Sequence, residues 1–384
     1  MSTLKVDAIR HNSATSDAIT TAADGTCTAK ITSVGGAPLS NRNKIINGAN
    51  QISQRATSVS SITTSAYRIC DRWKPIFSGT GTWTLSQSTT SPDGFSKSFK
   101  FDCTTANASL SAGNFMMLQQ RIEGFNVQDF AKGTSSAKQF SLSFYVKTNK
   151  TGTYIVELYD TANSRNCSGS YTVSDSNWNR YTITFPADTT GTIDDDNTEG
   201  LRLDFWLASG TTFSSGTLVT AWASQTNANR AVGQVNLADN TSNEWYITGV
   251  QLEVGDTATS FEHRNIGDEL SLCERYFEIL KITRYSFVGS NHSTGSPYVK
   301  IYWNTKKRAA PTITLPTIGQ GTNQLQFIGG NGSYQTGSSS ASLVHIDELS
   351  SGLQGSGYTG KSTNAEPAML YGSGTALVQV SAEL

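Results

Sequence analysis

The feature that most constrains this chain is a strict two-residue alternation. Phe140, Leu142, Phe144 and Val146 interleave with Ser141, Ser143, Tyr145 and Lys147, the pattern of a strand with one face buried and the other open. It returns in Tyr181, Ile183 and Phe185, in Leu201, Leu203, Phe205 and Leu207, and in Val250, Leu252 and Val254. Turn-forming runs such as Asn149-Lys150-Thr151-Gly152 and Asp188-Thr189-Thr190-Gly191 separate them. No helical period intervenes, which excludes a parallel α/β sheet and predicts an all-β chain with a jelly-roll sandwich.

Composition agrees. Only 15% of the 384 residues are charged, so Ser, Thr, Asn and Gly must cover the surface, and these residues favour strands and turns. A net charge of -1 argues against nucleic acid as partner, because neutralising phosphates needs clustered cations. The only compact basic run, Lys306-Lys307-Arg308, reads as a solvated strand end, with an anion or polysaccharide contact as the alternative. No stretch is long and apolar enough to span a bilayer. The five cysteines, Cys27, Cys70, Cys103, Cys167 and Cys273, are odd in number and widely spaced, so reduced, buried thiols are expected.

Four parts follow along the chain. Residues 1–40 contain no aromatic residue and cannot bury enough surface alone to offset chain entropy, so they are expected to attach to a partner protein. Residues 41–264 are the expected sandwich. In residues 265–281, Ile266, Leu270, Cys273 and Phe277 recur at helical spacing, and Asn265 or Asp268 is placed to cap a connector helix. Residues 282–384 carry strand runs and glycine-rich loops, expected to form a small β domain whose loops face a host or partner.

Several motifs in this order resemble phage tail-fibre and virion-appendage proteins. They are Asn41-Arg42-Asn43-Lys44-Ile45-Ile46-Asn47-Gly48, Gln51 to Arg55, Tyr67 to Asp71-Arg72-Trp73, Gln120 to Gly124, Leu142 to Val146 with Lys147-Thr148-Asn149, Gly249 to Gly255, Ala258-Thr259, Phe261-Glu262-His263-Arg264 and Asp268 to Phe277. The resemblance spans about residues 41–277 and implies a carbohydrate-binding-module-like jelly roll, usually homotrimeric, in a virion particle. The first seven residues lack an apolar signal core, so synthesis in the host cytoplasm and exit by particle assembly and lysis are expected. Asp71-Arg72-Trp73 is expected to be structural, at the sandwich edge, and His263 likewise structural.

Function is therefore expected to be adhesion. Sugar rings need an aromatic face beside hydrogen-bonding groups, and the candidates are Trp206, Trp222, Tyr334 and Tyr358. Trp206 is out of phase with the Leu201–Leu207 stripe and should face the other side of its strand. Asp194, Asp195 and Asp196 lie in one polar loop, which reads as a solvated turn, a Ca²⁺ site or an acid–base pair. No catalytic residue and no cofactor is expected beyond that Ca²⁺. The expected role is a tail-fibre-like virion protein that anchors through its N-terminal segment and adheres to host polysaccharide. A capsid-decorating, head-fibre or tail-adaptor protein is the first alternative, and a polysaccharide depolymerase the second.

Overall fold

The computed structural model describes residues 6–10, 12–13, 15, 18–29, 40–283, 286–293, 296–318, 323–329, 340–356, 367–372 and 376–384. Its centre is two six-stranded antiparallel sheets. The front sheet runs, edge to edge, Asn179–Phe185, Phe140–Thr148, Glu244–Val254, Ser98–Thr105, Thr82–Ser88 and Ser58–Ile62. The back sheet runs Ala223–Ser224, Arg165–Val173, Gly152–Asp160, Glu199–Ser209, Phe115–Glu123 and Lys74–Ser78. The alternating apolar residues meet between them: Leu142, Phe144, Phe99, Phe101, Leu203, Phe205, Leu118 and Trp245 are all fully buried in one core. Each such side chain contributes about 1.5–3 kcal/mol. This is the jelly-roll sandwich that the alternation predicts.

Three short strands, Ala8–Ile9, Ile19–Thr21 and Cys27–Ala29, form a small sheet near the N-terminus. At the other end lies a second β unit. A three-stranded sheet, ordered Phe277–Ile282, Ala376–Ser381, Thr312–Thr314, accompanies a six-stranded one. Their shared core includes Ile282, Val299, Ile301, Phe327, Leu353, Leu370 and Val378.

The connector helix spans Ile266–Glu274. Asn265 caps it by accepting from the Gly267 amide, with Asp268 and Glu269 in the first turn. Its apolar face is narrower than the sequence spacing predicts. Ile266 is 57% exposed, and Phe277 has already entered a strand. Leu270, Leu272, Cys273 and Tyr276 instead join Ile46, Ile52 and Leu384 in a third small core at the seam between the two β units.

Buried charge locks that seam. Arg72, fully buried and expected at the sandwich edge, lies under it: its guanidinium pairs with Glu383, bonds to the Arg121 carbonyl and stacks 3.4 Å from the centre of the Tyr276 ring. Trp73 donates to the Asn47 carbonyl at 3.0 Å. The basic run is not a solvated strand end. Lys306 alone is exposed; Lys307 is buried against Glu278 at 2.5 Å, and Arg308 bonds to the carbonyls of Ala382, Glu383 and Asn197. Carbonyls and a carboxylate turned toward the seam hold these two cations in place. Cys70, Cys103, Cys167 and Cys273 are buried and unbridged, and burial pushes the Cys167 thiol up to about 12.

Candidate functional site

Two consecutive 3-10 turns, Gly124–Asn126 and Gln128–Phe130, leave the back sheet at the end of Phe115–Glu123. Val127 and Phe130 are buried and pin the turns to the core. That anchoring sends the residues between them outward: Phe125 is 51% exposed, and Asn126 and Gln128 are exposed beside it. Gly124 is required here, since a Cβ would lie 1.9 Å from the Asp194 carbonyl oxygen. The loop that contains Asp194 packs on the turn from behind, with the Phe125 amide donating to the Asp196 carbonyl at 2.9 Å and the Gly124 amide to that of Thr198 at 3.1 Å.

Opposite Phe125 stands the segment from Ser40 to Ile46. Asn43 fixes it, donating its side-chain amide to the Val250 carbonyl and accepting from the amides of Ile45 and Leu252. The two walls are tied by Lys44 and Asp129 at 2.8 Å. Arg264, bonded to the Ile45 carbonyl and to Glu269, and Leu272 of the connector helix close the floor. The result is a cleft of about 440 Å³. It shares Asn41, Arg264 and Leu272 with a second, shallower hollow of about 780 Å³ that runs along the helix toward Arg275 and Lys306.

The side-chain amides of Asn41, Asn126 and Gln128 make no hydrogen bond to any described residue, although each lines the cleft. An exposed aromatic face beside these three amides and an ion pair can take a ring that is apolar on one side and hydroxylated at its edge.

The residues singled out in the sequence lie elsewhere. Trp206 does face away from the main core, but the segment 210–231 covers it. It packs with Met117, Ile155 and Phe213, is fully buried, and donates to Glu157 at 3.2 Å. It therefore presents no face to a ligand. Trp222 is half-buried, donates to the Pro186 carbonyl at 2.9 Å, and packs against Phe140 and the Lys132 ammonium. Tyr334 and Tyr358 lie outside the described residues.

Asp194, Asp195 and Asp196 do not converge. Asp196 accepts from the Thr198 hydroxyl and amide, which hold its carboxyl below the usual range. Among the described residues no three His, Cys, Asp or Glu side chains gather as a metal site, so the loop gives no support to Ca²⁺. It serves as the buttress of the Phe125 turn. An oxygen-lined cation position does exist nearby, but a lysine fills it. The buried Lys132 ammonium meets Asp160 at 2.5 Å, Asp188 at 3.0 Å and the carbonyls of Thr190 and Gly191.

One pair of buried carboxylates faces across strands, Glu157 opposite Asp204. Burial raises the Glu157 carboxyl, the direction a general acid needs. Yet Arg230, Asn166 and Trp206 bond to Glu157, while Arg202 and Gln119 bond to Asp204. Their oxygens are taken up in a structural network under a cover of protein.

No protein-family model and no curated protein sequence matches the chain. Solved structures similar to it include a family 16 carbohydrate-binding module, at 13% identity over 44% of this chain and 84% of that one, with a TM-score of 0.23. Another is a family 11 carbohydrate-binding module from Clostridium thermocellum, in complex with a mixed-linked tetrasaccharide, at 11% identity over 54% and 99% with a TM-score of 0.27. A third is a cyclase from Fischerella sp., at 11% identity over 58% and 97% with a TM-score of 0.30. Scores this low carry no argument about the cleft.

Proposed function

We propose that this chain is a virion-appendage protein, tail-fibre-like, which holds host-surface polysaccharide in the cleft beside Phe125. The observation that carries the reading is the exposed Phe125 ring set among the amides of Asn41, Asn126 and Gln128, which bond to no described residue. A sugar ring stacks its apolar face on Phe125 and turns its hydroxyls to the amides. Such a site is shallow and individually weak. Adhesion then comes from several copies acting together, in a homotrimer anchored to the particle through residues 1–40. The resemblance of residues 41–277 to phage appendage proteins supports the virion setting.

Holding without cleavage completes the reading, because the paired carboxylates Glu157 and Asp204 are engaged by arginines and amides. Affinity electrophoresis of the full chain against bacterial surface polysaccharides tests it. Retardation by at least one polymer is expected, with Phe125→Ala weakening it about tenfold, which is about 1.4 kcal/mol, and no reducing sugar released. Unchanged retardation of the Phe125→Ala protein would remove the cleft from the mechanism. Antibody label over the capsid, rather than at the tail, would favour the decorating role.

A further inference from the structure

The outer face of the front sheet carries a second pattern at its edge. Strand parity sends Tyr145 and Lys147 outward from Phe140–Thr148, and Trp178 and Arg180 outward at the start of the edge strand Asn179–Phe185. Arg180 lies directly opposite Tyr145, and Asn179 opposite Val146, which places Trp178 beside Lys147. Aromatic and cation thus alternate along each strand and across the pair, a checkerboard of four side chains. The next strand adds Tyr246, opposite both Lys147 and Lys100. Its ring stands 6.2 Å from that of Trp178, with the Lys147 ammonium 6.0 Å from its centre.

The charges on this face are not balanced evenly. At one end Lys100 pairs with Glu244 at 2.6 Å and with Asp102 at 3.7 Å. The other nearby carboxylate, Asp175, is held in its own turn by the Asn177 amide and Asn179. At the edge, Lys147 has no carboxylate within ion-pair distance among the described residues. Among the described residues Arg180 bonds only to the Thr259 carbonyl, at 2.5 Å. Arg180 is exposed, and Trp178, Tyr145 and Lys147 are half-buried. Two cations beside two aromatic rings, at the partly exposed edge of the sheet where one side of Tyr145 already packs on Phe95, suit a ligand that repeats both a stacking surface and a negative charge.

We infer that the edge of the front sheet, through Trp178, Lys147, Tyr145 and Arg180, binds an acidic polysaccharide whose sugar rings carry carboxylates. This surface is separate from the Phe125 cleft, and the inference rests on the proposed function only in taking glycans as the ligand. Carboxylates pair with Lys147 and Arg180, and the sugar rings lie against Trp178 and Tyr145. Pairing between exposed groups is screened by salt, so the affinity must fall as ionic strength rises.

The test uses the full chain with polygalacturonate as the acidic probe and dextran as a neutral one of similar length. Polygalacturonate is expected to bind, to weaken severalfold between low and physiological salt, and to lose at least tenfold in the Lys147→Ala/Arg180→Gln double variant. Phe125→Ala is expected to leave polygalacturonate binding in place, which separates this surface from the cleft. Lys147→Glu provides a second variant, should loss of the Arg180–Thr259 contact disturb the fold. Failure of polygalacturonate to bind, equal binding of dextran, or indifference to both variants would overturn the inference. Loss of binding in the Phe125→Ala protein instead would assign the ligand to the cleft.

Discussion

At the scale of the residue, position in the layer decides chemistry more than residue type does. Trp206 and Trp178 both lie on outer faces and Trp222 in a loop, yet Trp206 is sealed under residues 210–231, Trp222 is clasped by Phe140 and Lys132 against the main core, and Trp178 stays half-buried beside Tyr246. Gly124 shows the same dependence. Replacing it with alanine puts a methyl group against the Asp194 carbonyl, so Gly124→Ala is expected to cost about 1–3 kcal/mol and to weaken cleft binding, read by thermal unfolding and affinity electrophoresis together. The cysteines give a further expectation. Burial raises the thiols of Cys70 and Cys273, that of Cys167 to about 12 and that of Cys103 to about 11. Peptide mapping after alkylation should find these four unmodified in the native protein and modified once it is unfolded. Phe125 could not be picked out from the sequence, because Phe125-Asn126-Val127-Gln128-Asp129-Phe130 has no period and a lone Phe reads as core. The Ser-Tyr-Lys side of residues 141–147 was legible as outward, and two of the four residues on the cationic face come from it.

At the scale of the element, loops are held by charge where strands are held by apolar packing. Lys132 joins three of them, from the 131–134, 160–163 and 188–192 turns. Lys132→Met leaves Asp160 buried without its cation and Asp188 with Arg165 alone, at an expected cost of about 3–5 kcal/mol in denaturant unfolding. Asp188 also sets a pH response. Burial acts to raise its carboxyl, but hydrogen bonds from Arg165 and Lys132 outweigh it and hold it below the ordinary value. The stabilisation is therefore present above the unfolded-chain pKa of about 3.9 and is lost as pH falls through the lower folded-state value. Asp188→Asn should flatten the stability profile in that acid range, and an unchanged slope would show that other carboxylates govern it. The connector helix was readable from its cap and spacing, but its burial was not. Ile266 is exposed because the helix meets the seam only through its later turns.

At the scale of the whole molecule, the two β units have separate cores but a shared, charge-locked seam. Arg72 is fully buried and its carboxylate partner, Glu383, comes from the far end of the described chain. The two units are expected to unfold in one calorimetric transition. Glu383→Ala strands the Arg72 charge, at about 3–5 kcal/mol, and should split the transition or lower it for both units. An unaffected single transition would mean that the apolar seam alone couples them. No local pattern foretold this. Lys306-Lys307-Arg308 reads as a solvent-facing run in any window of sequence, and only the arrival of Glu278 and the Ala382–Glu383 backbone makes it interior.

The sequence by itself determined the strands, their faces, the all-β sandwich and the capped helix, because side-chain alternation and capping are local and need no knowledge of what lies opposite. Only the tertiary structure decided which outward residues stay open and which charges become buried. A period of two names the face of a strand but not what settles on it. Trp206 and Tyr145 occupy equivalent outer faces of their two sheets, and the segment 210–231, remote from both in pattern, covers one of them and leaves the other half-open.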